Sequence, residues 1–535
     1  MAVLQKGKAI YPFWGESVSI ITGLDPLGLQ LTSEATYATM LPGISNLTNR
    51  LRYYGFYCWL LDFYFQKEKK GNSVEQYRFI RRAELMIALT MQSQRKDVRQ
   101  ITGSNFAANL LNDLGSVVFD LAKGADKDKG QTDVYWKYPS GAFGQYYFGA
   151  MQALSLVGIA ENEEGDFIYN ITEPHPKQKI SGKQLAEGFN ASLTPEIKTL
   201  FYNNIKQGKL SVDEIPLIVK YFSIDIINVE NQEWNLYIKM LTDKDDPSGE
   251  IEENFTFHRK ETISSLINTA KENNNEFDWY QFLLKCYKNK FGNSDKVVSE
   301  TDMGWYCYQL NEYWQYSCGT LFWSVLQYLY EFQQDQYLLT FIKDFTNSVY
   351  KTILNEEMSN FENDISLGGL ISCIKQLSEE EIIERIEASI KGNDPISAAK
   401  NGFLLLFQLC RSNSEQLHPL KEFMSRKQII REGNMADGLL GIHNNMHLPL
   451  FEFIEHFFVR NIIYRHQMVA MRKMGNGTQS THKFFIEDQY IRFIDTFPPR
   501  NTSPRMNALW NLLYDLQIMD KDNLLCSNHE KILLD

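Results

Sequence analysis

The stretch LTNRLRYYGFYCWLLDFYF, residues 47–65, crowds eight aromatic side chains into one short run: Tyr53, Tyr54, Phe56, Tyr57, Trp59, Phe63, Tyr64 and Phe65. Read as a helix, it is apolar nearly all the way round, and such a helix belongs inside a core. Outward from it, most of the 535 residues repeat a helical period, broken by short Gly, Asn, Asp or Pro stops. Period-two runs are few and brief, so the predicted class is mainly α. A composition of 44% hydrophobic, 13% aromatic and 22% charged residues excludes a disordered or collagenous chain. The length fits several domains. We expect a multi-domain helical protein with a small winged-helix-like α/β segment and a short C-terminal β-hairpin. The expected segments are 1–122 (aromatic and basic helices), 132–241 (winged-helix-like), 255–440 (central helices) and 441–535 (basic helix, hairpin and helix). Their boundaries are read at residues 123–131, 242–254 and 272–276, which are rich in Gly, Asp, Lys or Asn.

A net charge of -12 excludes a surface coated with nucleic-acid-binding charge, so any phosphate contact has to be local. Residues 46–100 hold 11 basic and 5 acidic side chains, whereas residues 355–395 hold 3 and 10. Arg50 and Arg52 precede the aromatic run, Arg78, Arg81 and Arg82 share one helical face, and Arg95 and Arg99 share another. Basic groups beside aromatics can grip phosphates and stack bases, which makes these seven arginines candidate nucleic-acid contacts. The structural account competes with that reading, because aromatic helices are mostly core and basic faces mostly solvated. No apolar run reaches the length of a membrane span, and residues 1–19 lack an apolar leader region. Seven scattered cysteines without a CxxC pair indicate neither a disulfide framework nor a Cys-rich zinc module, so the expected setting is the cytoplasm. P-loop, Rossmann, GxSxG, kinase and EF-hand signatures are missing, and we expect no cofactor.

Residues 143–189, FGQYYFGAMQALSLVGIAENEEGDFIYNITEPHPKQKISGKQLAEGF, resemble the helix, hairpin, helix close of winged helix-turn-helix domains. A helix through Met151 and Leu154 is expected to stop near Gly158, Phe167, Tyr169 and Ile171 to alternate as a strand, and residues 182–189 to resume as helix. A DNA-reading wing needs cations. Here residues 143–158 carry no charge, and the turn carries Glu161, Glu163, Glu164 and Asp166, which favours a structural or protein-contacting role.

Residues 447–474, HLPLFEFIEHFFVRNIIYRHQMVAMRKM, predict a long apolar helix from about Pro449 to Met474. Within it, RNIIYRH resembles the Arg, polar residue, then His pattern of HEPN-type ribonucleases, which work without metal. The resemblance implies that His466 acts as acid or base and Arg460 stabilises charge on the phosphate, with Asn461 at the polar position. Arg411 to His418 is a weaker match of the same kind. Arg472 and Lys473 close the helix, in a region where residues 456–505 hold 8 Arg or Lys against 3 Asp or Glu; they join the nucleic-acid candidates. His443 and His447, with Glu452, Glu455 or His456, have the spacing of a metal site, but Pro449 interrupts the helix and HExxH is missing, so no metal is assigned. Farther on, residues 483–486 and 490–493 flank EDQ as a hairpin, and Ser503 and Pro504 open a helix bearing Leu509, Leu512, Leu513 and Leu516.

Residues 304–332, GWYCYQLNEYWQYSCGTLFWSVLQYLYEF, suit a helical core or helix interface. DPLGLQ (residues 25–30), LPGISNLTNRLRYYGFYCWLL (residues 41–61) and NEYW (residues 311–314) are together similar to large uncharacterised bacterial proteins of anti-phage defence loci. The expected function is a non-catalytic helical binding or scaffold subunit of a multi-protein assembly, with protein partners and local nucleic-acid contacts and without a membrane. The alternative is a metal-independent HEPN-like endoribonuclease using Arg460 and His466. Oligomeric state is not read from the sequence.

Overall fold

Helix Arg52–Lys67 forms on the aromatic stretch, and Tyr53, Tyr54, Phe56, Tyr57, Trp59, Phe63 and Tyr64 are all buried on it. The computed structural model to which it belongs describes residues 19–20, 25–68, 71–95, 97, 100–112, 117–126, 134–162, 165–174, 180–242, 258–290, 298–358, 365–474, 479–502 and 505–534. Helices dominate, and the sheets among the described residues have two or three strands. None of the described helices is long and apolar enough to cross a membrane. Two compact units divide the chain, one of residues 1–34 and 307–502, the other of residues 35–306 and 503–535. Each unit therefore joins pieces far apart in sequence, and the division falls at Tyr306 and Cys307, inside helix Glu300–Glu331.

In the unit of residues 35–306 and 503–535, the aromatic helix packs on helix Gly182–Asn190. Phe56 meets Phe189 at 6.0 Å between ring centroids, and Trp59 meets Phe201 at 5.2 Å. Gly55 is needed there, because a Cβ would lie 2.3 Å from the Tyr237 hydroxyl. Helix, hairpin and helix follow in the expected order. A π-helical turn Phe143–Tyr147 runs into helix Phe148–Ala153, strands Val157–Glu161 and Phe167–Ile171 pair antiparallel, and Ser181 and Gln184 form a capping box on Gly182–Asn190.

Three details differ from the sequence reading. The helix ends at Ala153, and Gly158 lies within the first strand. Phe167 is 65% exposed while Ile168 and Tyr169 are buried, because Phe167 pairs with exposed Glu161 at the tip of the hairpin, beyond the packed part of the strand. Asp166 is not a solvated wing charge: its carboxylate accepts from the Ser73 N–H and hydroxyl, both at 3.2 Å, at the start of helix Ser73–Gln94, where the helix dipole favours a negative group. Glu163 and Glu164, most of residues 242–254, and Ser503 with Pro504 lie outside the described residues. The Asn-rich run is a tight link between helices His258–Glu272 and Trp279–Asn289, with Asn274 and Asn275 at φ 52° and 64°.

In the other unit, Cys307 to Glu331 runs as helix beside helix Pro395–Asn413, where the Ser317 hydroxyl donates to the Gly402 carbonyl at 2.6 Å. The C-terminal hairpin pairs Phe484–Glu487 with Tyr490–Phe493 through the two-residue turn Asp488 and Gln489, both at positive φ, as the right-handed strand twist requires. Gln336–Tyr337 adds a third strand that periodicity did not reveal, since two residues carry no period.

NEYW proves to be a set of tethers. Asn311 donates to the Leu29 carbonyl (3.2 Å) and the Ser33 hydroxyl (2.9 Å), Glu312 accepts from Ser33 and from the Thr502 N–H (each 2.6 Å), Tyr313 donates to Glu380 (2.9 Å) and Trp314 to the Gly433 carbonyl (3.2 Å). Burial pushes the Glu312 carboxyl up to about 7, against the pull of its two donors. This lies above the ordinary glutamate value of about 4.3. The stabilisation from holding that proton is therefore present at acid pH and lost as pH rises through about 7. Glu312→Gln can accept the Thr502 N–H through its amide oxygen and donate its NH2 to the Ser33 hydroxyl without a titrating proton, and across this window wild type is expected to lose roughly 3 kcal/mol relative to it in urea melts at stepped pH. Parallel pH dependences would refute the assignment.

Candidate functional site

The helix predicted over residues 449–474 exists, but it is not uniformly α. Leu450–Phe457 is α, Phe458–Tyr464 is a π-helical segment, and Arg465–Lys473 is α again. The wide turn falls on RNIIYRH and sorts its polar residues into two environments.

Arg465 and His466 face the DPLGLQ turn. Arg465 donates to the carbonyls of Leu27 (2.5 Å), Gly28 (3.3 Å) and Glu432 (3.0 Å). His466 is buried, with its ring 4.7 Å from that of Phe322; Nδ1 lies 3.0 Å from the Pro26 carbonyl, and Nε2 accepts the Lys483 N–H at 2.9 Å. A carbonyl can only accept, so Nδ1 carries the proton and the ring is neutral. Burial pushes its pKa down to about 4. Neither ring nitrogen is open to a substrate, so in this structure the imidazole acts as a strut.

Arg460 and Asn461 lie elsewhere, lining an open cavity of about 200 Å³ with His456. Counted from Phe453, residues 456, 457, 460 and 461 fall at the i+3, i+4, i+7 and i+8 positions of one helical face, which turns all five toward the cavity. Phe453, Phe457, Ile442 and Leu448 form the apolar floor, and helix Met435–Asn444 supplies Asp437, Gly438 and Gly441. Asp437 is already engaged by Lys421 (2.7 Å) and Asn434 (2.9 Å), and its carboxyl is held below the usual range by these two partners in spite of burial, the largest influence, which acts upward. Arg460, His456 and Asn461 have no hydrogen-bond or ion-pair partner among the described residues. A Cβ at Gly441 would meet nothing within 4 Å. A helical glycine with open space beside it costs about 1 kcal/mol relative to alanine, and that signal for a cavity was present in the sequence.

The other candidate cations are engaged within their own unit. Arg50 pairs with Asp515 at 2.8 Å, and Arg52 holds Glu233 at 2.9 Å and the Ser223 carbonyl. Arg81 is buried and donates to the carbonyls of Ala125 (2.5 Å), Tyr138 (2.6 Å) and Trp136 (2.8 Å). Arg82 grips Asp126 through two bonds of 2.8 and 2.6 Å, Arg78 approaches the same carboxylate at 3.4 Å, and Arg95 pairs with Asp225 at 2.5 Å. Arg99 lies outside the described residues. In the helix that ends at Lys473, Arg472 pairs with Glu432 at 2.7 Å and Lys473 donates to the Asp25 carbonyl. Arg411 donates to the carbonyls of Ile371 and Ile374, each at 3.2 Å. His443, His447 and His456 are exposed, and the described residues contain no cluster of three or more His, Cys, Asp or Glu that could hold a metal ion.

No protein-family model, curated protein or solved structure matches the chain.

Because the folded-state pKa of His466 lies below the usual value of about 6.5, its contribution to stability is present above that pH and lost as pH falls through about 4. Nitrogen-edited NMR at neutral pH is expected to show the Nδ1–H tautomer, with no titration until about pH 4; a midpoint near 6.5 would place the ring in water. Gly441→Ala is expected to raise stability by about 1 kcal/mol, read as a higher urea midpoint at unchanged slope.

Proposed function

We propose that this chain is a non-catalytic helical binding subunit that works through protein partners. The observation that supports it is how acid–base chemistry is distributed. Glu84, Glu312 and Asp515, each pushed up to about 7 by burial, are interred with their carboxylates bonded, and His466 has both ring nitrogens engaged. Arg460, His456 and Asn461, which have no hydrogen-bond or ion-pair partner among the described residues, are recognition groups at a cavity with an apolar floor.

A second surface favours protein contact. Tyr337, Phe485 and Tyr490 are 40%, 39% and 49% exposed on the three-stranded sheet, and the rings of Tyr337 and Tyr490 are 5.9 Å apart. Arg492, opposite Phe485, is held by Asp335 at 2.7 Å. Exposed aromatics beside a neutralised cation suit a protein interface, where aromatic rings bury area at low entropic cost. With its local cations already paired, this surface gives nucleic acid little to hold.

The ribonuclease alternative needs His466 to exchange a proton with RNA. Labelled RNA incubated with the protein in EDTA is expected to remain intact, with wild type, Arg460→Ala and His466→Ala indistinguishable. Cleavage by wild type that either substitution abolishes would overturn the binding reading.

A further inference from the structure

Deepening the binding reading and resting on it, we propose that the cavity beside the π-helical segment takes a small amphipathic acid. Such a ligand has an apolar body the size of one aromatic ring and a single oxyanion head, either carboxylate or phosphate ester.

Charge determines the head. Asp437 is the one carboxylate among the residues lining the cavity, and Lys421 neutralises it, so Arg460 is the unbalanced charge. A guanidinium presents paired donors matched to the two oxygens of a carboxylate or phosphate. His456 and Asn461 stand at the same cavity and can complete the head's hydrogen bonds, Asn461 through its amide and His456 through a ring N–H. A cationic ligand would meet Arg460 without a free counter-charge.

Shape determines the body. Phe453, Phe457, Ile442 and Leu448 make the floor hydrophobic, and the bare face of Gly441 leaves the space a side chain would otherwise fill. An open cavity of about 200 Å³ has room for one aromatic ring. Arg460 and Asn461 lie within the π-helical segment, while Arg465 and His466, just past it, bond the turn at residues 25–30. Wide turns of this kind are frequent at functional sites.

Isothermal titration of the full chain with benzoate, phenyl phosphate, inorganic phosphate and benzylamine tests the assignment. Benzoate, phenyl phosphate or both are expected to bind, and the better of the two names the head. Benzylamine is expected not to bind, and inorganic phosphate to bind at least ten-fold more weakly than the ring-bearing acid. Arg460→Gln is expected to weaken binding ten-fold or more, and Gly441→Leu to abolish it while the thermal midpoint is kept or raised. Arg460 is exposed and unpaired, so its variant folds and its binding is measurable. The proposal is overturned if neither acid binds, if benzylamine binds as well as benzoate, if inorganic phosphate matches phenyl phosphate, or if both variants bind like wild type. The RNA assay decides separately whether the chain is catalytic, so the two readings fail independently.

Discussion

The turn at residues 25–30 presents the carbonyls of Asp25, Pro26, Leu27, Gly28 and Leu29 to side chains from elsewhere in its unit, and these bonds hold the unit's terminal pieces together. Lys473 takes the first, His466 the second, Arg465 the third and fourth, and Asn311 the fifth. The Asp25 carboxylate meanwhile accepts the N–H groups of Leu29 and Gln30 at 3.1 and 3.0 Å. Pro26 to Leu29 are buried, and each carbonyl left unsatisfied there would cost about 1–3 kcal/mol. The polar residues of NEYW and RNIIYRH are there to meet that demand. Gly28, at φ 65° and with a would-be Cβ 3.1 Å from Val469, lets the turn come this close.

Because one face of the C-terminal helix is committed to the turn, the rest of RNIIYRH has to face another way. Arg460 and Asn461 share the face of Phe453, His456 and Phe457 and look toward helix Met435–Asn444. Arg460 and His466, six residues apart in sequence, differ by about 120° round a helix, so one reaches open solvent and the other the interior. Burial then makes His466 a poor proton acceptor, since charging it would need desolvation without a carboxylate to compensate.

The helical class, the buried aromatic helix and the two hairpins were legible because each rests on a repeated local pattern of several residues. Phe167, Ile168 and Tyr169 mark the limit of that pattern: the alternation located the strand, but the place of each residue along the hairpin, Phe167 at its tip, decided which were buried. At the site, Arg460 was legible as a candidate and its companion was not. The motif points to His466, whereas the cavity gathers His456, which the sequence offers only by the spacing of a metal ligand. Gly441, mid-helix with open space at its Cβ, is the sequence's sign of a hollow there, whereas Gly438 packs against the Trp314 ring. Runs of arginine were visible, but their partners Asp126, Asp225, Glu233 and Asp515 lie too far along the chain for charge counting to pair them.

What the residues by themselves determined is what neighbours within about a dozen positions can decide: which segments coil, where they are capped, and which faces are apolar. Tertiary structure alone decided the two units assembled from distant pieces, the carboxylate opposite each arginine, the carbonyls that hold His466, and the cavity where helix Met435–Asn444 meets the face of Arg460. The reason is physical: helix propensity and periodicity act through adjacent turns, whereas desolvation and hydrogen-bond satisfaction depend on whatever the folded chain brings alongside.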